Sequence, residues 1–220
     1  MKTSVASVTF RSHTVEQIVS LALQAGLDAI EWGGDVHVQP GDLPAAQRAF
    51  SCCSNAGIEI SAYGSYYRAE SSFFPVLETA VQLKTRIIRV WAGKVGSRQC
   101  SPEQRSATEE ALRQAVLLAD DAGCTVATEY HANTLTDTLE STMELLNAVP
   151  GLRTFWQPPV GLPFEKNIQA LHSLQGRIEN LHVYHRTGEG ACRPLKEGAG
   201  NWISYLKTVQ LDGAPHYATL

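Results

Sequence analysis

The 220-residue sequence has no apolar segment near the roughly 18 residues that a membrane-spanning helix needs. Its first residues, MKTSVASVTF, contain one lysine but no apolar block followed by a small-residue cleavage site, which is typical of a strand rather than a signal peptide. These absences predict a cytoplasmic protein without a membrane partner. The length and the 44% of hydrophobic residues indicate one globular domain spanning residues 1–220.

Cysteine and basic residues are also arranged in ways that exclude function classes. The five cysteines are odd in number, Cys52 and Cys53 are adjacent, and the others show no ligand spacing, so neither a disulfide framework nor a zinc knuckle is expected. The formal net charge is −4 and no stripe of lysine and arginine is present. Nucleic acid is therefore excluded as a first choice of partner.

What the sequence does contain is a repeated unit. A helical stretch ends in Ala-Gly and leads at once into a short apolar segment at Gly26, Gly57 and Gly123. Glycine at this point adopts the left-handed backbone that ends a helix, so each site predicts a helix C-cap before a strand. The intervals correspond to one and then two strand–helix units, and the missing copy falls at Lys84-Thr85, where no glycine stands.

Capping signals and apolar segments complete this pattern. Thr14 with Gln17 and Ser101 with Gln104 have capping-box spacing, and Asp42 is a further candidate N-cap. Eight strands alternating with helices predict an α/β fold, a (β/α)8 TIM barrel that is short at its C-terminus and lacks its last helix. The expected strands are Ser4–Phe10, Ala29–Trp32, Glu59–Tyr63, Ile87–Trp91, Thr125–His131, Thr154–Gln157, Asn180–His185 and His216–Leu220.

Polar residues at the ends of these strands are the candidate site, because the carboxyl ends of barrel strands converge there. Glu129 and His131 lie two residues apart on one strand and share a face. Carboxylates and imidazoles that converge from several strands are suitable ligands for a divalent cation. Trp32 and Trp156 are expected in the core, whereas Trp91 shares its strand face with Arg89. The full set of strand-end candidates also includes Glu31, Gln157, His182 and His185.

The segments GLDAIEWGGDVH, TEYHANTLTDT, NLHVYH and CRPLKEGAGNW carry a resemblance over nearly the whole chain. In this order and placement they resemble the xylose isomerase-like sugar-phosphate isomerase/epimerase family. The resemblance implies a barrel that binds Mn²⁺, Mg²⁺, Co²⁺ or Zn²⁺ through a glutamate, an aspartate, a histidine and a second glutamate. Glu129 and His182 match two of these ligands, and Gln157 stands where the family has aspartate. The second glutamate would follow Leu220, where the sequence ends.

The resemblance therefore implies a metal-dependent isomerase or epimerase of a sugar or sugar phosphate, acting by proton transfer through an enediolate. Glu129 would be the catalytic base, with Glu129, Gln157 and His182 as metal ligands that hold the cation weakly or not at all. The expected substrate-binding residues are Glu31, Arg89, Trp91, His131, His185 and Arg193. The expected ligand is a small-molecule sugar or sugar phosphate, and the sequence is compatible with a monomer or a homo-oligomer.

Two alternatives stand beside this expectation. The chain could be a truncated or catalytically impaired family member that binds a sugar or a partner without turnover. A metal-dependent endonuclease on the same barrel is a third reading, which the acidic net charge disfavours.

Overall fold

The computed structural model describes residues 1–220 and shows a closed barrel of eight parallel strands. The order around the barrel is β1-β10-β7-β6-β5-β4-β3-β2, with β10 closing it between β1 and β7. The predicted TIM-barrel fold is confirmed. The barrel strands are β1 (Lys2–Ala6), β2 (Ala29–Gly33), β3 (Glu59–Gly64), β4 (Ile87–Val90), β5 (Thr125–Glu129), β6 (Arg153–Trp156), β7 (Ile178–His182) and β10 (Tyr217–Thr219).

Helices alternate with the strands, and a small antiparallel hairpin follows β7. The hairpin consists of β8 (His185–Arg186) and β9 (Cys192–Arg193). None of the helices is both long enough and apolar enough to span a membrane. The α-helices are α1 (Val15–Gln24), α2 (Leu43–Ala56), α3 (Phe74–Gln82), α4 (Pro102–Asp121), α5 (Leu139–Ala148), α6 (Phe164–Ser173) and α7 (Ala199–Val209), and 3-10 turns cover Ser7–Phe10, Leu195–Gly198 and Gln210–Asp212.

The local signals that predicted helix ends correspond to observed caps. Both capping boxes are present, at Thr14 with Gln17 and at Ser101 with Gln104, and Asp42 accepts a hydrogen bond from the backbone N–H of Ala45 at 3.0 Å. Gly57 ends α2 with φ +69°. Lys84 adopts φ +57° after α3, so a residue with a side chain takes the left-handed position that glycine fills elsewhere.

Several predicted strands were drawn too long. Ser7–Phe10 forms a 3-10 turn rather than part of β1, because the Ser7 hydroxyl accepts from the backbone N–H of Gly33 at 2.9 Å and fixes the chain beside β2. β4 ends at Val90, before Trp91, and β5 ends at Glu129, before His131. His185 belongs to the hairpin and not to β7.

Side chains alternate between the barrel interior and the helical layer. Trp32 and Trp156 point outward and are fully buried in the main hydrophobic cluster, where Trp156 contacts Tyr205 edge-on at 5.2 Å between ring centroids. The expectation that these two tryptophans are core residues is confirmed. Inside the barrel, Ala62 and Ala127 leave space for large polar side chains closer to the carboxyl ends of the strands.

Candidate active site

A cavity of about 740 Å³ opens at the carboxyl ends of the barrel strands, where TIM barrels hold their active sites. Five strand-end residues that the sequence predicts to cluster at one mouth do line it together, which confirms that expectation. They are Glu31, Arg89, Glu129, Gln157 and His182. Trp91 and His131 line the same cavity.

Arg89 on β4 bridges two carboxylates across the barrel. Its Nε donates to Glu31 Oε1 at 2.8 Å, and its Nη1 donates to Glu129 Oε2. Arg89 is 3% exposed and Glu31 is 1% exposed. Because an unpaired charge at this depth is very costly, the guanidinium and the two carboxylates each depend on the others. Arg89 and Glu31, both expected to bind substrate, therefore also hold each other in place.

His182 on β7 lies between the same two carboxylates. Its Nε2 is 3.2 Å from Glu31 Oε2 and its Nδ1 is 3.5 Å from Glu129 Oε1. Its ring and that of Phe155 make a T-shaped contact, with ring centroids 5.4 Å apart. The imidazole is thus held on three sides at the floor of the cavity.

Charge compensation controls the protonation of this cluster. Burial opposes ionisation of Glu31, but Arg89 and His182 outweigh it and lower the pKa of Glu31 to about 2. The same balance, with burial opposed mainly by Arg89, holds the pKa of Glu129 far below its usual range. Burial acts to lower the pKa of His182, but the two carboxylates raise it to about 9. Both glutamates are therefore ionised near neutral pH.

Gly64 at the end of β3 makes room for the ion pair. A Cβ added there would lie 2.5 Å from Arg89 Nη2 and 2.8 Å from Glu31 Oε1. Non-bonded carbon atoms do not approach other heavy atoms this closely, so any side chain at position 64 would displace the guanidinium of Arg89. Nothing in the sequence identifies this glycine, because the partner that needs the space is distant in the chain.

The predicted metal ligands do not form a site suited to a divalent cation. No three histidine, cysteine, aspartate or glutamate side chains are grouped so as to hold a metal ion. Gln157 directs its amide Nε2, not its oxygen, at Glu129 Oε1 at 3.3 Å and at the backbone oxygen of Tyr130 at 3.0 Å. Since Arg89 also donates to Glu129, this single carboxylate already has its oxygens engaged by N–H donors, and the donor set does not fit the metal.

His131 lies on the loop after β5 with one ring nitrogen bonded and the other unbonded. Its Nδ1 lies 2.7 Å from the backbone oxygen of Ala132, which can only accept, so Nδ1 carries the proton. Trp91 packs against the imidazole with ring centroids 4.5 Å apart, and the guanidinium of Arg68 covers Trp91 at 3.9 Å from the ring centroid. This stack fixes an imidazole whose Nε2 is left with its lone pair.

The cavity also contains residues that strand-end reasoning missed, because they lie on loops or on the hairpin. Tyr66 adopts φ +58°, and its ring stacks on Trp91 at 6.2 Å. Asp137 accepts from the backbone N–H of Ser97 at 3.0 Å through Oδ2, while its buried Oδ1 has no partner. Tyr184 and Arg186 also line the cavity.

Two predicted substrate-binding residues lie outside this cavity. His185 faces the turn before α7, where a Cβ on Gly198 would come within 2.5 Å of its Nδ1, so the imidazole packs on bare backbone. Arg193 is exposed and donates through Nε to Glu197 at 2.9 Å. Neither residue lines the cavity that the other predicted residues share.

A closed parallel barrel with a polar cavity at its carboxyl ends defines the chain as a TIM-barrel protein with an enzyme-like site. No family model matches the sequence. A 3-dehydroshikimate dehydratase of Bacillus anthracis is 32% identical over 257 residues, covering 100% of this chain and 90% of the relative. The chain belongs to the xylose isomerase-like sugar-phosphate isomerase/epimerase family, as the resemblance implies.

Solved structures agree with this placement. A crystal structure described as the probable 3-DHS dehydratase AsbF, involved in petrobactin synthesis in B. anthracis, matches with a TM-score of 0.80 at 25% identity, covering 100% of this chain and 92% of that one. D-Allulose 3-epimerase from Methylomonas sp. matches with a TM-score of 0.74 at 11% identity, covering 100% and 83%. IolI with a bound zinc atom matches with a TM-score of 0.71 at 16% identity, and the match covers 100% of this chain and 88% of that one. Proteins that share this fold thus include a dehydratase and an epimerase.

Proposed function

We propose that this chain is a dehydratase that removes a proton beside the carbonyl of a hydroxylated ketone and then expels a hydroxyl group as water. The substrate class is that of 3-dehydroshikimate, on which the 32% identical relative acts. The observation that carries the proposal is the single hydrogen bond of His131, which leaves a basic nitrogen in a cavity that also holds a buried cation.

His131 is better suited than Glu129 to take the proton. Its Nδ1–H is engaged by the backbone oxygen of Ala132, so Nε2 is the nitrogen that can accept. Glu129 accepts from Arg89, and its pKa is far below the usual range, which makes it a weak base. The sequence assigned catalysis to Glu129, and we instead propose that Glu129 positions Arg89.

The reaction uses His131 twice. Nε2 removes the proton from the carbon next to the carbonyl, and the C–H electron pair forms an enolate. The carbonyl then re-forms, the electron pair makes a carbon–carbon double bond, and the C–O bond on the next carbon breaks. His131 returns the proton to the departing hydroxyl, so water leaves and the imidazole is neutral again.

Arg89 supports the step in which negative charge develops. It remains cationic, since burial is outweighed by Glu129 and Glu31 and its pKa is raised. A fixed positive charge that lines the cavity stabilises an enolate oxygen without reorganising during the reaction. No step is assigned to a metal, because the donor set does not fit one.

Elimination suits this site better than the isomerisation or epimerisation that the sequence suggests. Epimerisation removes a proton from one face of a carbon and returns one to the other, so it needs two groups placed on opposite faces. Elimination needs one group, which first accepts the proton and then returns it. His131 meets that requirement alone.

The proposal is tested by incubating the purified chain with 3-dehydroshikimate and, separately, with D-allulose, each in EDTA and in Mn²⁺. We expect loss of water from 3-dehydroshikimate, followed by absorbance, and little interconversion of D-allulose, followed by chromatography. Brisk epimerisation of D-allulose without dehydration would overturn the proposal. No reaction with either compound would favour a family member that binds without turnover.

A further inference from the structure

Two charged side chains that line the cavity, Asp137 and Arg186, have no ion-pair partner, whereas the other charges are paired. Glu31 and Glu129 are compensated by Arg89 and His182. Arg186 also lines the cavity and has neither an ion pair nor a side-chain hydrogen bond in the structure. Because Asp137 Oδ1 is buried and Oδ2 accepts from the backbone N–H of Ser97, the unpaired charge that the cavity presents to a ligand is the guanidinium of Arg186.

The hairpin and its neighbours hold Arg186 beside the opening. The guanidinium lies 5.1 Å from the ring centroid of Tyr184. Tyr184 is fixed at both ends, because its hydroxyl donates to the backbone oxygen of Pro158 at 2.9 Å and its backbone oxygen accepts from Trp202 Nε1 at 2.8 Å. Arg186 thus rests on an anchored aromatic ring, which limits the freedom that ligand binding must remove.

We infer that Arg186 is the anion anchor of this site and selects substrates that carry a carboxylate over neutral sugars. The inference rests on the proposed function, since a carboxylate distinguishes a shikimate-type substrate from a neutral ketose. A guanidinium binds a carboxylate through two parallel N–H donors, a geometry that a hydroxyl group cannot match.

The position of the anchor also determines how the substrate lies. Arg186 follows β7, whereas His131 follows β5, and both line the same cavity. A carboxylate held at Arg186 leaves the ring carbons to extend over the cavity toward His131.

The test measures binding with a ligand that is not consumed. Shikimate carries the carboxylate but no ketone, and its methyl ester lacks the charge. Calorimetric titration of both compounds is compared for the wild type, Arg186→Gln, Arg186→Lys and the control Arg193→Gln, which alters an exposed arginine of the same hairpin outside the cavity.

We expect the wild type to bind shikimate about tenfold more tightly than the ester, with the preference weakening as salt is added. Arg186→Gln should abolish the preference, Arg186→Lys should retain part of it, and Arg193→Gln should leave it unchanged. A preference that survives in Arg186→Gln, an absent preference in the wild type, or no binding of either compound overturns the inference.

The anchor and the proposed function fail in different ways. Selective binding of shikimate through Arg186 without turnover of 3-dehydroshikimate supports the anchor and rejects the dehydratase. Turnover of 3-dehydroshikimate with an unchanged KM in Arg186→Gln supports the dehydratase and rejects the anchor.

Discussion

Arg89 Nε and Glu31 Oε1 are 2.8 Å apart across the barrel interior, and both side chains are almost completely withdrawn from solvent. The pair joins β4 to β2, and through Glu129 it extends to β5. Because these buried charges are poorly solvated by water, the arrangement is stable only while every partner is present. The same cluster therefore contributes to folding and to the electrostatics of the cavity.

Removing the cation should destabilise the whole barrel. Arg89→Met leaves His182 as the only cation beside the buried carboxylates of Glu31 and Glu129, and we expect this loss to lower the free energy of unfolding by about 3–5 kcal/mol. Urea denaturation followed by circular dichroism measures the change. Arg193→Met, at an exposed ion pair with Glu197, should change it by less than about 1 kcal/mol. Equal losses in the two variants would contradict the role of Arg89.

A methyl group at position 64 should disturb the same cluster without changing a charge. Gly64→Ala places a carbon 2.5 Å from Arg89 Nη2, so the guanidinium must shift, and we expect a loss of about 1–3 kcal/mol together with lower activity. Gly200→Ala is the matched control, because nothing lies within 4 Å of the added carbon. Full activity and stability in Gly64→Ala would show that Arg89 does not need its observed position.

Metal binding should depend on the residue at position 157. We expect the wild type to bind Mn²⁺ weakly, and Gln157→Asp to bind it at least about tenfold more tightly, because an N–H donor is replaced by an anionic oxygen ligand. Calorimetric titration is the measurement. Gln169→Asp adds the same charge at an exposed position of α6 and should have no effect on Mn²⁺ binding. Tight stoichiometric Mn²⁺ binding by the wild type would contradict the conclusion that the donor set does not fit.

The fold was largely readable from the sequence because its signals are local. Thr14, Asp42 and Ser101 cap the helices they precede, and these contacts depend on neighbours within three residues. A strand was wrongly predicted at Ser7–Phe10, because its β-branched and aromatic residues are typical of a strand. The 3-10 turn found there depends on the contact of Ser7 with Gly33, which is distant in the sequence. Strand ends were accordingly the least predictable part of each element.

The residues of the candidate site were predictable only where their position in a strand determines the direction in which the side chain points. Glu31, Arg89 and Glu129 were found because alternate residues of a barrel strand face inward. Tyr66 and Asp137 were missed, since the paths of their loops depend on contacts formed after the barrel closes. His185 was expected to bind substrate because it was assigned to the end of the seventh strand, but β7 ends at His182 and His185 belongs to the hairpin.

The turnover of 3-dehydroshikimate by His131→Gln tests the account most directly. The variant removes the proton acceptor but keeps a side chain that can donate to Ala132, and His185→Gln is the control for loss of a histidine outside the cavity. We predict that kcat falls by about 100-fold or more in His131→Gln, with little change in KM and an unchanged unfolding midpoint, and that His185→Gln resembles the wild type. A kcat for His131→Gln within about twofold of the wild type would contradict the assignment of His131 as the group that moves the proton.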